Sequence, residues 1–475
     1  MPPVCEQSVN LRSWFANCCS AAANCARLAI SCRIGGIRVG VRDVILIAVC
    51  IVAVPLSLVQ PFAGVLFWTW VGYFNPQDFT YGVASKIPFA LLIAISTMAG
   101  LVVTKRKQIP PLTIETALLL VLWFWFCVTT VNVFFSPTLT QHWTDSVDFL
   151  WRVSKILLMV FVALALVTDS KRLRWWYLVT AASFAVFALK GSVFGILTGG
   201  QDKVYGPKNS MIYDNNDFGL AMNMALPMFA AFARTEDSRL LRWGFRAAVP
   251  MGIMAVILTY SRGAMLGLAT VLFAMMMKSK RRFLGLAGTT IVISLIFITA
   301  PEKWIERMQT LKNVGADQSA LARLHSWTFA YRLVLDHPIL GGGFQTFTAP
   351  LYGQYNMLAD KVQGPHSIYF QVLAEHGLPG LIIFLGLVAC CLWSCSRLKR
   401  TFLRQPGSET LAAYSDMVQL GLVTFLVSGA FLGRAYFDLF YQLVATVIIL
   451  KTLARERAAP PEAPVVVPEL SAASV

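Results

Sequence analysis

Long apolar runs alternate with short basic or polar segments along this chain, with one extended polar exception between positions 301 and 377. Apolar runs near 44–60, 87–104, 112–134, 150–168, 176–198, 218–233, 243–260, 264–277, 283–300, 378–396, 412–432 and 437–451 predict twelve helical crossings, since a helix needs about 20 apolar residues to span a hydrocarbon layer. Residues 44–75 are too long for one straight span and are interrupted by Pro55 and Pro61. One crossing plus an interfacial piece is expected there, with thirteen helices as the alternative count. A membrane β-barrel would show short strands of alternating apolar and polar residues instead of continuous runs. The fold class expected is therefore an all-α polytopic membrane protein.

Composition agrees: 57% of residues are hydrophobic, 13% are charged, and the mean hydropathy is +0.63. A formal charge of +16 raises the question of nucleic acid or another anionic partner, and the placement of the basic residues answers it. Segments 105–107, 171–174, 234–246, 278–282, 397–404 and 451–457, with the five N-terminal arginines, hold 26 of the 40 Lys and Arg residues, and all fall on one side of the predicted bundle. That pattern orients a membrane protein with its basic loops in the cytoplasm. No nucleic acid is expected, and an inner-membrane-type location is.

The opposite, periplasmic face then carries loops 76–86, 135–149, 199–217, the Ser261-Arg262-Gly263 corner, the segment 301–377, and Arg434 to Asp438. The organisation reads as a basic, cysteine-containing cytoplasmic leader (1–42), an N-terminal bundle (43–300), a periplasmic cap (301–377), C-terminal helices (378–455) and a disordered tail (456–475). Because Val41-Arg42-Asp43 directly precedes the first span, the leader is read as dispensable or as an artefact of start-codon choice. Its cysteines, Cys5, Cys18, Cys19, Cys25 and Cys32, lack zinc-type spacing. Cys50, Cys127, Cys390, Cys391 and Cys395 sit in crossings or at their cytoplasmic ends, so no exported disulfide framework is implied.

Chemistry is expected where polar residues defy the bilayer or gather on the exported face. Lys190 lies inside a crossing near its exported end, where an ammonium either snorkels to the interface or meets an anionic head group. In the loop that ends Asp214-Asn215-Asn216-Asp217, Asp214 or Asn215 can cap the next helix, while Asp214 with Asp217 would be a weak divalent-metal pair. Arg262, against the positive-inside rule, is either an interfacial anchor or a fork for phosphate oxygens. Within the cap, Asp317 can start a helix carrying Leu321, Leu324, Trp327 and Tyr331, on which Arg323 and Trp327 share a face; Pro338 stops it. Gly341-Gly342-Gly343-Phe344 reads as a flexible turn and not as a nucleotide-binding loop, since it lacks the strand-to-helix context.

Of the five histidines, His142 reads as an interfacial neighbour of Trp143, His325 and His337 belong to the cap helix and its end, and His376 precedes a glycine turn. His366 differs. Gly364-Pro365 delivers it to the start of a helix fixed by the membrane, where an imidazole can take a proton from a hydroxyl.

His366-Ser367, nine residues, Gly377, two residues and Gly380 resembles the signature of the O-antigen ligase and Wzy-polymerase superfamily. The Ser-Arg-Gly corner, the Arg323-to-Trp327 helix and the stretch from Pro338 to Phe344 are similar to its other functional segments. Trp68 to Pro76 and Lys190-Gly191 resemble the subgroup associated with exosortase-type export. The resemblance implies a metal-independent, cofactor-free glycosyltransferase of the GT-C type that moves a glycan from undecaprenyl diphosphate to an acceptor outside the inner membrane. By that likeness His366 is the general base, Arg262 and Arg323 with Lys190 bind the diphosphate, and Asn215 and Asp217 are secondary. A ligase acting on lipid A-core is preferred over a Wzy-type polymerase or a protein O-oligosaccharyltransferase. A lipid-linked-sugar flippase and a metal-dependent sugar transferase using Asp214 and Asp217 are the more distant readings.

Overall fold

The structure, a computed structural model, describes residues 31–34, 37–278, 318–357 and 362–458. The crossing expected at 283–300, nearly all of the leader, Asp317 and the tail after 458 lie outside the described residues. A short antiparallel hairpin, β1 (Ser31–Ile34) with β2 (Ile37–Gly40), precedes the helices. It is the one departure from an all-helical chain among the described residues.

The helices are α1 (Val41–Val59), α2 (Pro61–Phe74), α3 (Phe89–Val103), α4 (Ile114–Phe135), α5 (Trp143–Leu166), α6 (Ser170–Leu197), α7 (Asn215–Thr235), α8 (Arg239–Ile257), α9 (Arg262–Lys278), α10 (Gln318–Asp336), α11 (Ala349–Gln354), α12 (Ile368–Leu403), α13 (Glu409–Gly429) and α14 (Asp438–Ala458). Each expected crossing apart from 283–300 falls on one of them. Among the described residues, seven helices are long and apolar enough to cross a membrane: α1, α4, α5 with the turn before it, α6, α8, α12 and α13. The chain is a polytopic helical membrane protein. Its rim shows what hydrocarbon contact requires, with Ile51 and Val52 of α1, Val102 of α3 and Phe124 of α4 among the aliphatic and aromatic side chains left exposed.

The long 44–75 run divides at Gln60, and Pro61 takes the first position of α2, where no amide donor is needed. α7 and α14 are buried along most of their length. Side-chain amides on both find partners in neighbouring helices: Asn223 Nδ2 donates to Ala264 O at 2.7 Å, and Gln442 Nε2 to Thr180 Oγ1 at 2.9 Å. This satisfaction is what lets helices of middling hydropathy sit at the centre of the bundle.

Charged residues of the segments expected to be cytoplasmic gather together. Asp416 bridges Lys278 and Lys399, both at 2.6 Å, and Arg174 forks onto Glu236. Glu115, fully buried, holds Lys451 Nζ at 2.6 and 2.7 Å from its two oxygens and accepts from Ser394 Oγ at 2.6 Å, joining α4, α12 and α14. Glu115→Ala would strand the Lys451 ammonium. We expect a loss of about 3 kcal/mol, the low end for breaking a buried pair because 21% of the Lys451 side chain remains exposed. A lowered thermal unfolding midpoint in detergent checks this, and Lys451→Met with Glu115→Gln should recover part of it.

α12 begins at Ile368, ten residues before the crossing expected from 378, and is broken at Gly377 (φ 67, ψ −171). Pro379 has no amide to give the Glu375 carbonyl four residues back. The glycine run repairs the break: Gly343 N donates to Glu375 O at 2.8 Å, Gly342 N to Ala374 O at 2.8 Å, and Leu378 N to Pro338 O at 2.9 Å. Gly341 and Gly343 have φ of 63 and 78, and a Cβ at Gly377 would meet Ile339 O at 2.2 Å. The stretch expected to be a flexible turn is thus buried and fully engaged, because broken helical backbone inside a bundle must find other partners.

Candidate active site

The N-terminal ends of α7, α9, α12 and the turn before α14 meet at one end of the bundle beneath the cap helix α10. Three hydrogen bonds hold the strand that delivers His366. Trp327 Nε1 donates to Pro365 O at 2.7 Å, Ser326 Oγ to Gln363 O at 3.1 Å, and Tyr352 OH to the same carbonyl at 3.2 Å. The Trp327 ring stacks on Phe370 of α12, centroids 4.9 Å apart. Arg323, one helical turn before Trp327, is thereby carried to His366, on which its charge acts.

His366 itself is half-buried and left-handed (φ 44), directly before the N-cap Ser367. A non-glycine residue in that region costs on the order of 1–3 kcal/mol and persists where the surroundings enforce it. Here they do: Gly433 passes so close that a Cβ on it would lie 3.1 Å from His366 N. The same turn brings Arg434. Its Nη2 stands 2.6 Å from Asp217 Oδ2, and its charge, like that of Arg323, bears on the imidazole. Burial pushes the His366 imidazole below its ordinary value; Arg323 and Arg434 push the same way, and Asp214 opposes them. The imidazole is therefore neutral and able to accept a proton near pH 7.

Asp214 caps α7, its Oδ1 accepting from Asn216 N and Nδ2, both at 2.8 Å. With Asp217 paired to Arg434, both carboxylates of the expected metal pair are engaged, and no cluster of three His, Cys, Asp or Glu residues occurs among the described residues. Asn215 Nδ2 donates to Thr259 O at 2.7 Å, fixing the turn ahead of Arg262. That turn is left-handed at Tyr260 (φ 58), and Ser261 Oγ caps α9 by accepting from Ala264 N at 3.2 Å. A Cβ on Gly263 would lie 3.0 Å from Phe431, so the Arg262 corner adjoins the turn that carries Arg434.

Lys190 goes elsewhere. Its Nζ lies 5.0 Å from the Phe79 ring centroid, and its charge acts on Asp78, not on His366. Burial pushes the Asp78 carboxyl up, while Asn209, Asn75 and Lys190 pull it down. Two of the remaining histidines are buried. His142 is buried, not interfacial as its neighbour Trp143 suggested, because Nε2 meets Gly342 O at 2.9 Å. His376 is also buried, with Nδ1 2.7 Å from Thr129 Oγ1.

Arg434 is the residue beside His366 that sequence reasoning passed over. Its signal was the one used for Arg262, an arginine on the face where the positive-inside rule disfavours it. The turn that holds it is tied to α12, since Gln371 Oε1 accepts from Ala435 N at 3.1 Å and Tyr436 OH donates to Glu375 Oε2 at 2.5 Å. Beside Arg434 opens a basin of about 510 Å³, lined by Lys208, Asn209, Ser210, Tyr213, Asp214 and Arg434.

The described residues thus form a helical membrane bundle in which a half-buried histidine lies within the electrostatic reach of two arginines, one of them lining an open basin. Residues 247–385 match the model of the O-antigen ligase family, a likeness to the O-antigen ligase/Wzy superfamily. Members of that family are membrane glycosyltransferase-like ligases and polymerases. Residues 41–236 match a family of unknown function. No curated protein matches the chain. Arg262, Arg323 and His366 lie in the first match, Lys190, Asp214 and Asp217 in the second, and Arg434 beyond both.

Proposed function

We propose that the chain transfers a glycan from undecaprenyl diphosphate to an acceptor hydroxyl at the periplasmic face of a bacterial inner membrane. The observation that carries this is the neutral, strained His366 flanked by Arg323 and Arg434, the second of which also lines the basin. His366 accepts the hydroxyl proton as the oxygen attacks the anomeric carbon. The bond from that carbon to the diphosphate oxygen breaks, and the leaving diphosphate carries away the electron pair. Its charge is met by Arg323, Arg434 and Arg262, permanent cations able to act without a metal ion. Attack from the face opposite the leaving group inverts the anomeric centre. Lys190, beside Asp78 and Phe79, is assigned to the flank of the loop and not to the diphosphate.

The bundle is read as GT-C type with twelve crossings, its exported cap 301–377 set over the site, and residues 43–300 and 378–455 as the two membrane portions. Within the family, a ligase using the lipid A-core is preferred to a polymerase or a protein O-oligosaccharyltransferase on the single long cap. Purified protein in nanodiscs, given a lipid-diphosphate glycan and each acceptor in turn, should release the lipid diphosphate and form one glycosylated product, in chelator as well as without it. Loss of transfer on chelation would favour the metal-dependent transferase. Movement of the donor between leaflets without transfer to any acceptor would favour a flippase.

A pH dependence follows from the same charges. The active form of His366 is neutral, so kcat/KM is constant above its pKa and falls as pH drops through it, and this limb reports the free enzyme. Because burial and the two arginines hold that pKa down, the limb should lie below the ordinary histidine value of about 6.5. Arg323→Gln should move the limb up in pH, and Asp214→Asn should move it down while keeping a good helix cap.

A further inference from the structure

Two tyrosines on the exported loop carry an arrangement that the transfer chemistry leaves unused. Tyr205 and Tyr213 stack with ring centroids 6.1 Å apart and planes inclined by 29°, yet they are 50% and 47% exposed. Stacked aromatic pairs such as Phe232 with Phe245 and Phe425 with Phe440 lie inside the bundle. This pair stands in the open, and Tyr213 also lines the basin beside Arg434.

The loop that presents it is held at several points. Gly206 N donates to Tyr213 O at 3.0 Å, and a Cβ on Gly206 would meet Ile212 O at 1.8 Å, so the two sides of the loop close on each other. Ser210 Oγ donates to Pro207 O at 2.7 Å, Asn209 Nδ2 to Asp78 Oδ1 at 3.3 Å, and Asn75 Nδ2 to Lys208 O at 3.3 Å. The tyrosines are thus set in place before any ligand arrives. A rigid loop that leaves two flat aromatic faces exposed next to hydroxyl, amide and ammonium groups suits an amphipathic, flat ligand.

We propose that Tyr205 and Tyr213 form a platform for a pyranose ring, whose axial C–H face lies on the aromatic surface while its hydroxyls reach Ser210, Asn209 and Lys208 at the basin wall. The platform rests on the transferase reading and adds a saccharide subsite to it. A pyranose is common to both substrates, so the ring held is either one of the donor glycan beyond the diphosphate or one of the acceptor.

The test uses the full chain in nanodiscs. Binding of glycan-bearing and of bare undecaprenyl diphosphate is measured for wild type, Tyr205→Leu/Tyr213→Leu and Tyr205→Trp/Tyr213→Trp, and KM for the acceptor is measured in parallel. Leucine keeps apolar area but loses the flat face, whereas tryptophan keeps it. Under the proposal the leucine variant loses about tenfold, and the tryptophan variant retains binding within about threefold. A lost preference for the glycan-bearing lipid places the ring on the donor. A raised acceptor KM with that preference intact places it on the acceptor. A leucine variant equal to wild type in both overturns the platform and leaves the tyrosines as interfacial anchors. Wild-type protein that prefers the glycan-bearing lipid yet transfers nothing would overturn the transferase reading and not the platform.

Discussion

Replacing His366 with alanine is expected to lower kcat on the order of 10²–10⁴-fold, the range for removing a positioned general base, while binding of the lipid diphosphate changes little. Among the described groups of the cluster the imidazole is the one left to accept a proton: Arg323 and Arg434 are permanent cations, Asp217 is held by Arg434, and Asp214 caps α7. Alanine also alters a backbone held at φ 44. Asparagine is the control, because it tolerates the left-handed region yet cannot serve as a base at neutral pH. If both variants lose transfer alike while retaining the wild-type unfolding midpoint, the loss is chemical. An asparagine variant with wild-type kcat would remove His366 from catalysis and leave it as a residue that shapes the turn under the cap.

Parts of this molecule were legible in its sequence for definite reasons. The polytopic helical class could be read because a bilayer demands uninterrupted apolar length, and the pairing of Arg323 with Trp327 on one face followed from helical period. The role of Gly341 to Gly343 could not, since it depends on a donor that Pro379 lacks 36 or more positions away and on a helix break at Gly377 visible only in three dimensions. Lys190 and Arg434 show the limit for charged residues. Both stand where charge is disfavoured, but whether a cation reaches the site depends on which turn folds over it. The Gly433–Tyr436 turn folds against His366, whereas α6 directs Lys190 to Asp78 and Phe79. His142 illustrates the converse, a residue beside an interfacial tryptophan that is drawn inward by a carbonyl of the glycine run.

Arg434 carries the second large effect, and its partner makes the direction informative. With its Nη2 held 2.6 Å from Asp217, the guanidinium is positioned but committed, so an incoming diphosphate must compete with a carboxylate for the same fork. Arg434→Met should lower kcat/KM on the order of 10²–10³-fold, as expected for losing one preorganised donor to a developing anion. Arg434→Lys should recover only part of this, because an ammonium supplies charge without the bidentate geometry. Asp217→Asn should act in the opposite sense: freed from its carboxylate, Arg434 binds the diphosphate more tightly, and KM for the donor falls a few-fold. The size is kept small because 36% of the arginine side chain is exposed and the pair is partly screened. A purely structural ion pair predicts that Arg434→Met and Asp217→Asn both weaken the enzyme and lower its unfolding midpoint together. Steady-state kinetics on the two variants, with KM and kcat resolved for the lipid diphosphate donor, separate the possibilities, and a raised donor KM in Asp217→Asn would count against Arg434 as a diphosphate ligand.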